Sequence, residues 1–252
     1  QQGDVERALS LWNDSLTLKE QIGDVQGKAA TLHNMAGVIA QQGDVERALS
    51  LWNDSLTLKE QIGDVQGKAA TLANMAWLAG NKQNDPDKAI EFSHQAIESL
   101  VSVHDWLNVV TVLDNLSDFV SENESQSCLA QAFWLCLPVS IPVESALNLS
   151  VQLLENTGGV EAEHSQLLGA AAVVIVGMRG KDHPKFGELQ QYSSNILVAC
   201  LQAQNIAPDN FQQHIEQQQL LNPEHLYPKL DQLLASWVTE WVFDREQFGQ
   251  NM

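Results

Sequence analysis

A 40-residue internal repeat constrains this chain more than any other feature. Residues 1–32 recur letter for letter as residues 41–72, and only five of the 40 aligned positions in 1–40 and 41–80 differ. Two near-identical copies must share one structure. A period of 40 residues is typical of small units that stack on their neighbours and bury a continuous core together.

Apolar and small residues within one period recur three and four positions apart, which predicts two amphipathic helices. Gly43-Asp44 separates these helices, and Gly63-Asp64 ends the unit. Glycine permits a left-handed backbone and aspartate can cap the next helix. The predicted unit is therefore helix, turn, helix, turn. The pattern residues are Leu32, Met35, Ala36, Ile39, Ala48, Leu49, Trp52, Ser55 and Leu56.

Together with Gly43 and Val45, these residues resemble the tetratricopeptide repeat signature, in which large and small residues alternate. The length is similar to the 40–42-residue variety found in kinesin light chains and in bacterial scaffold and sensor proteins. The proline that usually closes the repeat is absent. The resemblance implies an all-α solenoid of antiparallel helix pairs in a right-handed superhelix. Because the two copies are identical, Trp12 and Trp52 are expected to fill the same inter-helix slot.

The repeat region is predicted to cover residues 1–137, and residues 138–252 a helical C-terminal domain that caps the solenoid. A degenerate third unit follows the two copies after a one-residue insertion near Asn84. Beyond Pro138 the period disappears, but helices are predicted at 143–156, 161–178, 185–205, 209–220 and 225–247. Their breaks include Thr157-Gly158-Gly159 and Asn222-Pro223.

The resemblance also implies a peptide-binding wall on the concave face, formed by the first helix of each pair. Asn recurs on this wall, and an amide that both donates and accepts can hold an extended main chain. The alternative is that these amides bond to neighbouring helices. Trp77 is either an anchor for the ligand or packs on the third unit. The predicted wall residues are His33, Asn34, Asn74, Trp77, Asp114, Asn115 and Asp118, with Gly37 and Ala73 at aligned positions.

The formal net charge of −19 argues against nucleic acid and membrane surfaces as partners. No Lys or Arg occupies the aligned wall positions, so a neutral or basic peptide or protein is the expected partner. The longest apolar run, residues 167–178, is shorter than the roughly 20 residues that span a bilayer. The three cysteines, an odd number without CxxC spacing, fit reduced thiols and predict a cytoplasmic protein.

No sequence motif points to catalysis, a cofactor or a metal. HExxH, GxSxG, Walker and GxGxxG patterns are absent, and Cys128, Cys136 and Cys200 lack metal-binding spacing. We therefore predict a non-enzymatic interaction scaffold without cofactors. Two alternatives stay open: the sensor arm of a larger signalling ATPase or protease, and an all-helical hydrolase in the C-terminal domain.

The sequence starts with Gln-Gln-Gly inside a repeat and without an initiator Met, so we expect it to be part of a longer protein. The first helix, at about 4–21, would then expose Leu9, Trp12 and Leu16. An uncovered apolar face favours association with another molecule. Self-association through this helix is therefore expected.

Overall fold

A computed structural model describes residues 2–156 and 162–248, and these residues form helices and connecting turns without a β-strand. The α-helices are α1 (Gln2–Ile22), α2 (Val25–Gln41), α3 (Val45–Ile62), α4 (Val65–Lys82), α5 (Pro86–Ser102), α6 (Trp106–Leu116), α7 (Glu122–Leu135), α8 (Val143–Asn156), α9 (Ala162–Arg179), α10 (Phe186–Ala203), α11 (Phe211–Gln218) and α12 (Pro223–Trp237). The predicted all-α solenoid of helix pairs is confirmed. Its superhelical handedness stays a prediction.

The chain divides into two compact units, Gln1–Phe119 and Val120–Met252. In the first unit each helix packs against the next, with the most extensive pairings between α2 and α3 and between α4 and α5. In the second unit α7 packs on α8 and α12. The predicted boundary at residue 137 marks where the repeat pattern of the sequence ends, and it need not coincide with the division between the compact units. That boundary stays a prediction.

The turns between helices combine a left-handed residue with an aspartate cap. Gly23, Gly43 and Gly63 have φ angles of 72°, 89° and 69°. The aspartate that follows each of them accepts a hydrogen bond from a backbone N–H in the first turn of the next helix. This arrangement satisfies a donor that the helix itself cannot pair and fixes where the next helix begins.

The degenerate third repeat, which lies within the first compact unit, keeps these turns without glycine. Asn84 and His104, at the positions of Gly43 and Gly63, have φ angles of 53° and 56°. Asp85 and Asp105 still cap α5 and α6. The backbone path of the repeat therefore persists although its glycines are gone.

Trp52 is the largest side chain in the core of the paired helices. It is 2% exposed and packs with Ala36, Ile39, Ala48 and Met75. Its indole Nε1–H donates to the His33 carbonyl oxygen at 3.2 Å. A buried indole needs such an acceptor, so the hydrogen bond fixes α3 against α2.

Trp12 has the same local sequence as Trp52 but is only partly buried, because α1 packs on α2 alone. Leu9 packs against the Trp52 cluster. Leu11, Leu18 and Ile22 are the large exposed apolar side chains of this helix among its described residues.

This difference gives a matched pair of substitutions. Trp52→Ala should lower the free energy of unfolding by about 3–5 kcal/mol, because it leaves a cavity in a closed core. Trp12→Ala should cost at most about 2 kcal/mol, since less apolar surface leaves water there. Urea titrations of both variants measure the two losses, and equal losses would contradict the burial seen in the structure.

The second unit is organised around α9, which packs against α8, α10 and α12. Val143, Leu147, Ala172 and Val176 form one buried cluster of this unit. Arg179, at the end of α9, donates to the carbonyl oxygens of residues 136, 137 and 139 just after α7. This arginine satisfies acceptors that α7 leaves open.

The helix predicted at 225–247 is wrong beyond residue 237. α12 ends at Trp237, and Val238 has an extended backbone. The following segment turns back onto α7, where the Val242 N–H donates to Gln131 Oε1 at 2.9 Å. The segment thereby packs its aromatic side chains against Trp134 rather than along a continued helix, and Phe243 is buried there. The rings in contact with Trp134 belong to Trp241, Phe243 and Phe248.

The other C-terminal helices lie close to their predicted positions. The helix predicted at 209–220 is a single 3-10 turn, Pro208–Asn210, followed by α11. The predicted break at 157–159 lies outside the described residues.

Candidate functional site

A groove between α4 and α6 brings together side chains from three helices of the first unit. We call it the α4–α6 groove, and its volume is about 320 Å³. Leu100 of α5 lies at its base, while amide side chains and Trp77 surround its apolar residues. The groove is lined by Gln66, Ala69, Ala70, Ala73, Asn74, Trp77, Leu100, Asn108, Thr111, Val112 and Asn115.

Three of the predicted wall residues, Asn74, Trp77 and Asn115, line this groove. His33 is connected to it through a hydrogen bond to Asn74. The other three do not line it: Asn34 and Asp118 are exposed, and Asp114 is partly buried. The predicted set is therefore partly assembled in one place.

Next to the groove, a polar network joins α2, α3 and α4. Lys59 is 5% exposed, and its ammonium donates to the Gly67 carbonyl oxygen at 2.9 Å and to Thr71 Oγ1 at 2.8 Å. Thr71 Oγ1 in turn donates to the Gly67 carbonyl oxygen. His33 Nδ1 lies 2.9 Å from the same hydroxyl. Sequence reasoning missed Lys59 and Thr71, because a lysine near a helix end reads as exposed.

These contacts fix the tautomer of His33. Thr71 gives its only proton to Gly67 and Lys59 can only donate, so the Thr71 hydroxyl must accept from His33 Nδ1–H. His33 Nε2 is then an acceptor. It receives a hydrogen bond from Asn74 Nδ2 at 3.3 Å, which leaves the Asn74 carbonyl oxygen for another partner.

Burial and the nearby Lys59 charge keep the His33 imidazole in its neutral form. Burial, with the Lys59 charge as the second cause, lowers the pKa of His33 to about 4. Burial also lowers the pKa of Lys59, and Asp64 partly offsets that effect. At neutral pH the imidazole is therefore neutral, as the hydrogen bonds require.

The equivalent positions one repeat later are apolar. His33, Lys59 and Thr71 align with Ala73, Leu100 and Val112, and the latter three line the α4–α6 groove. The network between α2 and α4 is thus replaced by an apolar surface between α4 and α6. Aligning the third unit by its 41-residue offset would have revealed this joint replacement.

The amides at one end of the groove are also oriented by their partners. Gln66 Nε2 and Asn108 Nδ2 both donate to Asp105 Oδ2, at 3.0 and 2.8 Å. A carboxylate can only accept, so these amides must turn their NH₂ groups toward Asp105. Their carbonyl oxygens have no hydrogen-bond partner within the described part of the chain.

Trp77 is 47% exposed, and the Lys82 ammonium lies 5.6 Å from the centre of its ring. Asn81 Nδ2 donates to the Trp77 carbonyl oxygen. The indole is therefore held beside the groove with half of its surface in water.

The cysteines of the second compact unit are buried, and burial lowers the nucleophilic reactivity of their thiols. Cys128, Cys136 and Cys200 are buried with free thiols. Burial, with Glu124 as a second cause, raises the pKa of Cys128 to about 11, and burial raises the pKa of Cys200. A thiol that stays protonated is a poor nucleophile. Across residues 2–156 and 162–248, no three His, Cys, Asp or Glu side chains cluster as metal ligands would.

Residues 27–102 match the family model of the tetratricopeptide repeat. This segment is a tetratricopeptide repeat. It extends from the first turn of α2 to the end of α5, and repeats of this family generally serve protein–protein interaction rather than catalysis. No curated protein matches the chain with significant similarity. Within the described residues, no helix is both long and apolar enough to cross a bilayer.

The His33 network predicts a specific pH dependence of the tetratricopeptide region. The unfolded chain protonates His33 as the pH falls through about 6.5, whereas the folded chain resists protonation down to about 4. Protons therefore favour the unfolded state in this window, and stability should fall as the pH drops from 6.5 to 4. His33→Ala should make this fall shallower in urea titrations at pH 7 and pH 5.

The exposed His94 supplies the control. His94→Ala should leave the pH dependence of the urea midpoint as in the wild type. Parallel pH curves for wild type and His33→Ala would show that His33 stays solvated in the folded protein.

Proposed function

We propose that the chain is an interaction scaffold that binds an extended peptide of a partner protein along the wall formed by α2, α4 and α6. The observation that carries the proposal is the α4–α6 groove, where Asn74, Trp77 and Asn115 lie together around an apolar base. A concave, mostly apolar site with a few oriented polar groups is the usual form of a binding site.

The amide row provides the contacts to the ligand main chain. The Asn34 and Asn115 side chains are exposed, and neither amide makes a hydrogen bond within the described residues. Asn74 keeps its carbonyl oxygen available because His33 engages its NH₂ group. Such amides can pair with the peptide groups of an extended chain, as strands pair with each other.

Charge selects the ligand. Asp114 and Asp118 add negative charge on and just after α6, and the chain as a whole carries −19. Like charges suppress wrong partners and opposite charges accelerate encounter. A neutral or basic peptide is therefore the proposed ligand.

Trp77 is the proposed anchor of this interface. Half-exposed tryptophans are enriched at binding hot spots, because they bury a large area with little loss of conformational entropy. Its ring borders the groove rather than being enclosed by the third unit.

Self-association through α1 and a cytoplasmic location stay predictions beside this proposal. α1 leaves Leu11 and Leu18 exposed and Trp12 partly buried. This apolar surface supports self-association without naming its partner.

Asn115→Ala tests the proposal without disturbing an internal hydrogen bond. It should weaken partner binding by about 1–3 kcal/mol, because a peptide group of the ligand then loses its partner in a buried interface. The melting temperature should hardly change. The measurement compares partner recovery from an extract of the source cells with wild-type and variant baits, followed by titration of the recovered partner.

Asn53→Ala is the control, because Asn53 is an exposed asparagine of α3 outside the wall. It should recover the partner as the wild type does. Equal recovery by wild type and by a variant lacking Asn34, Asn74 and Asn115 would move the binding site away from this wall.

A further inference from the structure

We infer that the α4–α6 groove reads a two-residue signature in its ligand: an apolar side chain with a lysine or arginine two positions before or after it, because alternate side chains of an extended chain share one face. The inference rests on the proposed function and adds a ligand class to it. Its basis is the difference between two successive interfaces of one repeat array.

The apolar part of the signature follows from the base of the groove. Ala73, Leu100 and Val112 stand where the preceding interface has His33, Lys59 and Thr71. In that interface His33 and Lys59 both bond to Thr71. Leu100 and Val112 are close in size to the residues that they replace, so Ala73 is the replacement that removes volume, and the α4–α6 groove has a volume of about 320 Å³. Such a space favours an apolar side chain, since a polar group there would lose water without gaining a partner.

The basic part of the signature follows from Asp105. This carboxylate accepts from Gln66 and Asn108 at the end of the groove where α4 and α6 begin. Both amides are held with their NH₂ groups on Asp105, which leaves their carbonyl oxygens open. Carbonyl oxygens beside a carboxylate form a site for a donor with positive charge, because lysine and arginine offer only N–H groups.

The groove also has a direction. Lys82 lies beside Trp77 at the far end of α4, 16 residues after Gln66. That spacing corresponds to about 24 Å along a helix. A cationic side chain is therefore attracted to the Asp105 end and repelled from the Trp77 end. The apolar side chain falls between these ends, over Ala73 and Val112.

The identical copies of the repeat supply a matched pair of variants. Ala70 lies in the groove and is exposed, and Ala30 is the exposed residue at the same position of α2. Ala70→Trp fills the groove, whereas Ala30→Trp places the same side chain in the same local sequence outside it. A second variant, Asp105→Asn, removes the charge and keeps a residue able to cap α6.

The probe is an array of dodecapeptides of glycine and serine in which two central positions, separated by one residue, are varied through all amino acids. It is incubated with the full chain carrying a fluorescent label. Wild type and Ala30→Trp should prefer peptides that pair Leu, Ile, Met or Phe with Lys or Arg. Ala70→Trp should lose at least about tenfold in binding to these peptides. Asp105→Asn should lose the preference for the basic residue and keep that for the apolar residue.

The outcomes separate the two proposals. Equal binding of the apolar–basic peptides by Ala70→Trp and Ala30→Trp would overturn the groove as their site, while peptide binding by the wall would stand. A preference for an acidic over a basic residue at the second varied position would overturn the role of Asp105. Absence of binding to every peptide, together with loss of partner recovery in Asn115→Ala, would overturn the signature alone.

Discussion

The buried ammonium group of Lys59 is the constraint on which the arrangement of α2, α3 and α4 depends. Burying a charged amine costs several kcal/mol unless its donors are satisfied. Here the acceptors are the Gly67 carbonyl oxygen and the Thr71 hydroxyl. That hydroxyl also accepts from His33, and His33 accepts from Asn74. One buried charge is thus the centre of a hydrogen-bonded network that joins α2, α3 and α4.

The candidate site lies where the next repeat lacks this charge. With Leu100 at the position of Lys59, no hydroxyl is needed at Val112 and no imidazole at Ala73. The helices keep their caps through Asp85 and Asp105, so the backbone of the repeat continues while its polar filling is absent. The groove therefore arises where the third repeat keeps the backbone path of the first two but carries different side chains. Because its sides are helices with satisfied ends, it is largely preformed, which reduces the entropy cost of binding.

Most of the fold could be predicted from the sequence, because the helix pattern, the capping aspartates and the glycine turns can all be recognised directly in the repeated sequence. The prediction was wrong where local pattern and tertiary packing compete. Trp241 continues the apolar stripe of α12, yet its ring packs against Trp134 from an extended segment. The candidate site was predicted in part: Asn74, Trp77 and Asn115 were found from their register. Lys59 and Thr71 were not, since no local pattern distinguishes a buried lysine from the solvated lysines of other helix ends.

The five differences between the two copies fall into two groups: four lie at packed positions, and one, Trp77, is exposed. Residues 78–80 differ from 38–40 where α4 meets the third unit: Leu78 and Ala79 are buried, and a Cβ on Gly80 would come within 2.2 Å of the Phe119 ring. The glycine at position 80 thus makes room for the Phe119 ring. Ala73 replaces His33 where the polar network is lost. Trp77 differs from these positions, because 47% of its surface remains exposed where Gly37 stands in the first copy. A large apolar side chain that gains so little from the folded chain is consistent with a contact made to another molecule.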